Sequence, residues 1–538
     1  MINLVLATVN VSYIHRNLAL RWLYVAKDKE TNVQIKEFNC KQAVDDMIQE
    51  LLCLKVDVIG FSVYIYNLEI IKELVVKLKT SNKNLRIILG GPEINWDDTW
   101  WFDMQIEALL VGEAEKSLYQ YLKTGKADGV KTKDYCSDIK EAIVDIAYLE
   151  SLASPYFLTD YNIDYHQQYF YLETSRGCPF LCSYCSAAGK KLRLFSKEYI
   201  KKLLNEVAKH DIKQIKLLDR SFNANEKHAL FVIEEIAELK LETIVQFEIT
   251  ADKLSDAFIN KLIKIKKPSC FRFEIGIQTF NKESLKAINR HQDNELLVKR
   301  IKQLHQHGFI IHTDLIAGLP YEDLSSFKKS FNKLYSLKTE EIQVGILKLL
   351  KNSPLYNQIE IWDIKFASIA PYQIISSKWL SENDIEEVSY VALATEKLYN
   401  NQRMLHTLAY LLDELKLEPF AVFAKLGKTI ENLKQPYNLY DLFVAVNKEF
   451  SSYCIKQYLN IDYYSLFNIK TKRLFSDTVA KDERVMLRKY LVDNKILDDY
   501  LFSNYSTICK EDDCYLLFVI MKDEKYPKVL IIDKEKIC

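Results

Sequence analysis

The chain has 538 residues, too many for one hydrophobic core, so its length divides into two to four domains. Its 73 Lys and Arg balance 73 Asp and Glu with no dense basic run, which argues against a large nucleic-acid footprint and leaves room only for a local basic groove. No run of 18 apolar residues spans a bilayer, and the opening MINLVLATVN lacks the basic stretch and long apolar core of a signal peptide. Eleven cysteines without a secretion signal point to reduced thiols and metal binding, so the expected setting is cytoplasmic, away from membranes.

Short apolar runs at 2–9, 33–38, 56–63, 85–89 and 108–111 predict buried parallel strands. Amphipathic stretches near 16–28, 42–54, 67–80 and 114–123 predict helices between them. This alternation gives an α/β fold class. A doubly wound, Rossmann-like or flavodoxin-like domain occupies residues 1–125, with a ligand crevice at the carboxyl ends of its strands. Residues 126–170 read as a linker and bridge, polar over 123–140 and tyrosine-rich over 141–170.

A second alternating series predicts strands at 171–176, 214–219, 243–249, 270–277, 309–316 and 341–348. Six βα units form a partial (β/α)6 barrel of TIM type over 171–350, with its chemistry on the loops after the strands. Residues 351–538 turn mainly helical. The apolar stretches 515–521 and 529–532 predict a terminal hairpin. The stretch 370–379 reads as core, with a cavity lining as the other reading.

Cys178, Cys182 and Cys185 follow the first strand of the second series with C-x3-C-x2-C spacing. Thiolates are natural ligands of iron–sulfur clusters, and close spacing lets one loop wrap a cubane. Three cysteines for four irons leave one iron open to a chelating substrate. The segment Glu173-Thr-Ser-Arg-Gly-Cys178-Pro-Phe-Leu-Cys182-Ser-Tyr-Cys185 resembles the radical S-adenosylmethionine (SAM) superfamily, and the likeness covers roughly 171–350. That resemblance implies a 4Fe-4S cluster whose open iron binds the amino and carboxylate groups of SAM. One electron then splits the S–C5′ bond into methionine and a 5′-deoxyadenosyl radical.

Phe273-Glu-Ile-Gly-Ile-Gln278 and Asp314-Leu-Ile-Ala-Gly-Leu-Pro320 are similar to the superfamily's later SAM-contacting segments. The resemblance therefore implies cofactor contacts from Glu274 and Gln278 to the ribose hydroxyls or ammonium, and from Gly318 and Tyr184 to the adenine. Glu248 and Asp314 join the same set. The competing reading of Glu248, Glu274 and Asp314 is a salt bridge in the barrel mouth. Asp219, in Leu217-Leu-Asp-Arg-Ser-Phe-Asn223, falls where many members hold the SAM amino group, although the commoner Gly-Gly-Glu is missing.

A doubly wound domain ahead of such a barrel resembles the cobalamin-binding radical SAM family. Val56-Asp-Val-Ile-Gly-Phe-Ser62, Ile88-Leu-Gly90-Gly91-Pro92-Glu93 and Gly112-Glu113-Ala-Glu115 are similar to that domain's later strand ends and turns. Corrin contacts are thereby implied for Ser62, Gly90, Gly91, Gly112 and Glu113. The axial-histidine motif Asp-x-His-x-x-Gly is missing, as it commonly is in this family. Tyr13-Ile-His15-Arg-Asn17 occupies that loop instead. His15 reaches the cobalt or corrin amides, or else caps a helix or bonds a backbone carbonyl. A second reading is a domain that has lost cobalamin and docks on the barrel.

The implied activity is methyl transfer to an unactivated carbon or phosphorus centre of a small molecule or peptide. Cobalt carries the methyl of one SAM, a second SAM supplies the radical, and a flavodoxin- or ferredoxin-type donor supplies electrons. The alternatives are a radical rearrangement, cyclisation or oxidation without methyl transfer, and an iron–sulfur redox sensor or scaffold. The helical tail resembles an extra domain, of unnamed role, in a subset of the family. Cys509 and Cys514 suggest a weak metal clip, and the remaining cysteines are scattered.

Overall fold

The computed structural model describes residues 1–158, 161, 163–239, 242–467, 474–475, 479–498, 501–502, 506–511, 513–519 and 527–537. The chain forms two compact units. The first comprises Met1–His312, Gly318–Glu322 and Leu347–Ser381, and the second Thr313–Ala317, Asp323–Ile346 and Glu382–Cys538.

The first unit opens with strands β1 (Ile2–Asn10), β2 (Thr31–Asn39), β3 (Val58–Ser62), β4 (Arg86–Gly90) and β5 (Ala108–Leu110). They are parallel in the order β2-β1-β3-β4-β5, as the alternating sequence predicts. Every residue of β3 is buried, because helices cover both faces of a parallel sheet. Helix α1 (Leu18–Val25) starts at Asn17, whose side chain accepts the Leu20 N–H at 3.0 Å. Helices α2 (Val44–Cys53) and α3 (Leu68–Ser81) follow. Leu68, Ile71, Leu74, Val75 and Leu78 of α3 recur at helical spacing and join one core with Ile59, Phe61, Ile87 and Leu89. Helix α4 (Ser117–Thr124) contributes Leu118 and Leu122 to the opposite face, beside Leu4 and Leu6.

The segment expected as a linker does more than connect. Strand β6 (Val130–Thr132) pairs antiparallel with β5 and adds a sixth strand to this sheet. Its polar composition concealed it, because an edge strand needs few apolar residues.

The same unit holds a second parallel sheet of β7 (Phe170–Leu172), β10 (Gln214–Leu217), β11 (Ile244–Ile249) and β12 (Phe271–Gln278), in that order. The expected strand at 171–176 is broken. The chain leaves the sheet after Leu172, and β8 (Ser175–Cys178) pairs antiparallel with β9 (Lys190–Leu194) instead. Along β11 and β12, Val245, Phe247, Ile249, Phe271, Phe273, Ile275 and Ile277 are buried. The alternate residues, Gln246, Glu248, Arg272, Glu274 and Gln278, stay half-buried on the other face. Strand β13 (Ile310–Ala317) passes from the first unit to the second after His312.

The second unit contains β14 (Glu341–Ile346) and is otherwise mainly helical. Gly427 lets the helix Pro419–Glu431 close on Glu382–Ala394, since a Cβ there would overlap the Tyr390 backbone. Near its end, Cys514–Val519 pairs antiparallel with Lys528–Asp533, the expected hairpin. Ser506–Lys510 adds a third strand on the other side. Residues 520–526, which include the end of the first apolar stretch, lie outside the described residues. Cys509 stands opposite Leu516 and Cys514 opposite Asp533, so the strand pairing does not set the two cysteines against each other. No helix among the described residues is long and apolar enough to cross a membrane.

Candidate cluster and cofactor site

Strand β8 ends on Cys178, and the loop returns into β9 after Gly189, whose N–H bonds the Phe180 carbonyl at 2.8 Å. Gly177 has φ +90°, and a Cβ there would strike the Lys191 carbonyl, so this ribbon closes only on glycine. Between them the Cys185 N–H bonds the Cys182 carbonyl at 3.1 Å, curling the loop on itself. Cys178 and Cys182 are buried and Cys185 half-buried, and all three are free thiols. Burial pushes the Cys178 thiol up, and the neighbouring Cys185 and Cys182 push it further. Three sulfur donors gathered in one loop suit a cationic partner with soft-ligand preference. This donor set fits an iron–sulfur cluster.

Asp219 requires a correction. It follows β10 at 1 % exposure, where one carboxylate oxygen accepts the Thr174 hydroxyl at 2.7 Å and the Ser175 hydroxyl at 2.5 Å. The other accepts the Thr174 N–H at 2.9 Å. The carboxylate is committed to the residues that lead into the cluster loop, so it positions that loop rather than receiving a SAM amino group. Burial outweighs these donors and pushes its pKa from 3.8 to about 6. The folded form therefore holds this proton more tightly than the unfolded form. Stability falls as pH rises between about 4 and about 6, and remains about 3 kcal/mol lower above that window. Asp219→Asn should remove this slope in urea midpoints measured from pH 4 to 7. Parallel curves for the two proteins would refute it.

On the open face of the second sheet, Glu248 and Glu274 are in register, and the Gln246 amide donates to Glu274. Two adjacent carboxylates at the carboxyl end of parallel strands suit a polar, cationic ligand. Gln278 ends β12 at φ +67°, a left-handed conformation that a non-glycine residue rarely adopts. Its amide folds over Gly276, where any Cβ would overlap it, and its Oε1 is buried without a partner. A buried acceptor lacking a donor is what a bound hydroxyl or ammonium would satisfy. Gly318 has φ +95°, a conformation that favours glycine, so the backbone already requires this glycine, and a Cβ there would also meet the Ile374 side chain. Tyr184 is held in the loop by the Arg290 guanidinium, which donates to its hydroxyl at 3.4 Å. Asp314 occupies a half-buried position on the β13 segment that belongs to the second unit.

At the carboxyl edge of the first sheet, the loops after β1 and β3 expose Val11, Tyr13 and Tyr66 at 50 %, 55 % and 42 %. Exposed apolar groups gathered on one sheet edge suit a large flat macrocycle. The glycines there have protein reasons of their own. Gly91 has φ +108°, and a Cβ would lie 2.5 Å from the Val63 carbonyl oxygen. Gly112 has φ +92° and abuts the Ala142 backbone. Gly90 alone has ordinary room, its nearest neighbour being 3.6 Å away. The Ser62 carbonyl is taken by the Thr8 hydroxyl at 3.1 Å and the Asn67 amide at 3.2 Å. His15 does neither thing expected of it in its local role: its Nδ1 lies 2.6 Å from the Tyr171 hydroxyl, and burial lowers its pKa.

Glu113 is also reassigned. Its carboxylate receives the Arg193 guanidinium and the Val144 N–H at 2.8 Å, so it is committed within the protein. Arg176, from the cluster-loop strand, joins this cluster, with Nη1 2.8 Å from Glu115 and 3.5 Å from Glu113, and Nη2 2.8 Å from Glu173. Sequence reasoning missed Arg176. The available signal was a pair of acids two residues apart in a buried turn, which demands a cation from elsewhere in the chain.

These features define a three-cysteine loop set on a parallel sheet, joined in one unit to a doubly wound domain. Residues 172–334 match the model for the radical SAM superfamily, and residues 4–122 match the model for the B12 binding domain. The chain thus carries a radical SAM domain and a B12 binding domain, the pairing found in the cobalamin-binding radical SAM family. Residues 360–514 match a third model, a protein of unknown function, DUF4080. The chain is 28% identical over 204 residues to the uncharacterized protein YtqA of Bacillus subtilis, covering 36% of this chain and 62% of that one. It is 25% identical over 330 residues to the cobalamin-dependent radical SAM methyltransferase TokK of Streptomyces tokunonensis, covering 56% and 48%. The chain thus spans about half to three-fifths of the length of these curated relatives. Among solved structures, the cobalamin-dependent SAM radical enzyme OxsB aligns with a TM-score of 0.59 at 16% identity, covering 84% of this chain and 75% of that one. That likeness establishes a shared fold.

Proposed function

We propose that this protein is a radical SAM enzyme that cleaves SAM at a 4Fe-4S cluster and, with cobalamin, methylates an unactivated carbon or phosphorus centre. The observation that carries the reading is the three-thiol loop beside the polar sheet face of Glu248, Glu274 and the unpartnered Gln278 oxygen. When bound, the cluster supplies the electron that breaks the sulfonium bond, and the corrin supplies a methyl carrier. Cys178, Cys182 and Cys185 hold the cluster, and Asp219 fixes the strand that delivers the first of them. Glu274 and Gln278 orient SAM through its hydroxyl and ammonium groups, and the apolar edge at Val11, Tyr13 and Tyr66 covers the corrin. TokK, a methyltransferase by its name, supports the choice of methyl transfer over cyclisation or oxidation. The electron donor is a low-potential protein of flavodoxin or ferredoxin type.

The test is anaerobic reconstitution with iron, sulfide, hydroxocobalamin, SAM and dithionite. Wild type should release 5′-deoxyadenosine and retain cobalamin through gel filtration. Glu274→Ala should weaken SAM binding by about tenfold or more, the effect of losing a hydrogen bond to a charged group, with its iron content unchanged. His15→Ala should alter cobalamin affinity only modestly, because His15 is engaged by Tyr171. Cobalamin that fails to bind at micromolar concentration would remove methyl transfer and leave SAM cleavage standing. Equal SAM affinity in Glu274→Ala would return that residue to a structural role.

A further inference from the structure

Three consecutive residues grip three consecutive residues of the cluster loop from more than a hundred positions away. The Ile288 carbonyl accepts the Ser183 N–H at 2.9 Å. The Asn289 side-chain amide donates to the Leu181 carbonyl at 3.2 Å, from a backbone at φ +53°. Between these two grips, Nη1 of Arg290 donates to the sulfur of Cys182 at 3.7 Å. Ile288 is fully buried and anchors the segment. These two contacts to the loop's backbone already hold it in place. The Arg290 contact differs in kind, because it is made to the ligating atom itself.

The guanidinium is fixed at every nitrogen. Its Nη2 donates to the Gly276 carbonyl, its Nε to Gln292 at 2.9 Å, and its Nη1 also to Tyr184. These oxygen partners are all neutral. An acid whose charge acts on it, Asp252, gives one oxygen, Oδ2, to Lys253 at 3.0 Å and to the Asp293 N–H at 3.1 Å. The positive charge is therefore left to face sulfur. A cluster gains one negative charge on reduction, and hydrogen bonds and positive charge at its sulfurs favour that state.

We infer that Arg290 is a positioning residue that sets the reduction potential of the cluster by acting through the Cys182 sulfur. The inference rests on the reading that Cys178, Cys182 and Cys185 hold a 4Fe-4S cluster. One electron passes from the low-potential reductant, dithionite, to the oxidised cluster, and no bond or proton moves in that step. Arg290→Gln removes the charge while keeping a donor, and Arg290→Lys keeps the charge while losing the planar fork.

The experiment is a redox titration of the anaerobically reconstituted full chain, followed by the paramagnetic signal of the reduced cluster, with iron measured on each sample. Wild type and both variants should hold about four irons. At a fixed potential, Arg290→Gln should show a reduced-to-oxidised ratio about tenfold below wild type, which for one electron is about 59 mV. Arg290→Lys should fall in between. Unchanged ratios in iron-loaded variants would overturn the inference and leave Arg290 a packing residue. If Arg290→Gln does not retain iron, the Arg290→Lys titration decides alone, a lowered ratio supporting the inference and an unchanged one overturning it. A wild type that binds no iron would instead remove the cluster reading itself.

Discussion

Replacing Cys178, Cys182 and Cys185 together with alanine should abolish iron binding, whereas the anaerobically reconstituted wild type should take up about four irons. The effect is all-or-none because the chain offers no second thiol set of this kind among its described residues. Cys40, Cys53, Cys136 and Cys454 are exposed and scattered, and Cys270 lies just before β12. Cys509 and Cys514 are the nearest pair, and each faces a different strand residue. Iron and sulfide analysis with the visible absorption of the cluster checks the result. Full iron retention by the triple variant would sink the cluster assignment and everything built on it. The fold should survive, because the loop's backbone is held by the Ile288 carbonyl, the Asn289 side-chain amide and the Leu355 N–H rather than by the thiols.

The contrast between what was legible in the sequence and what was not follows sequence distance. Strand β11 was readable because Val245, Phe247 and Ile249 alternate with polar residues, a pattern set by the pleat alone. The cysteine triad was readable because its spacing is local. The break after Leu172 was not, since it depends on Asp219, which accepts from Thr174 and Ser175 from more than forty residues away. The glycines show the same division. That Gly91 and Gly112 sit in turns was readable, but the backbones that crowd them, Val63 and Ala142, were not. Arg290 escaped notice for the same reason: nothing local marks an arginine after Asn289 as a partner of Cys182.

Arg176→Met should cost the folded protein about 3–5 kcal/mol, because it strands buried carboxylates rather than merely removing an attraction. The side chains of Arg176, Glu173 and Glu115 are only 11%, 10% and 7% exposed. Burial works against the Arg176 charge, and Glu173, Glu115 and Glu113 more than restore it, so its pKa is held above the usual range. Burial also raises the Glu115 pKa despite this partner. Without Arg176, the pKa of Glu115 in the folded state rises further above its unfolded value, and Glu173 loses its cationic partner. Acids shifted upward destabilise the fold as pH rises through the unfolded value, and that penalty disappears on acidification. The variant should therefore recover toward wild type as pH falls from about 7.5 to about 5, a direction opposite to ordinary acid unfolding. Adding Glu115→Gln and Glu173→Gln should restore part of the loss at pH 7.5, since neutral amides tolerate burial better than unpaired charges. Hydrogen exchange along β8 and β9 localises the effect, because Arg176 lies on that ribbon and joins it to the turn after β5. A loss below about 1 kcal/mol, or one that deepens on acidification, would mean that Arg176 is a replaceable surface charge and that other contacts hold the cluster loop to the first domain.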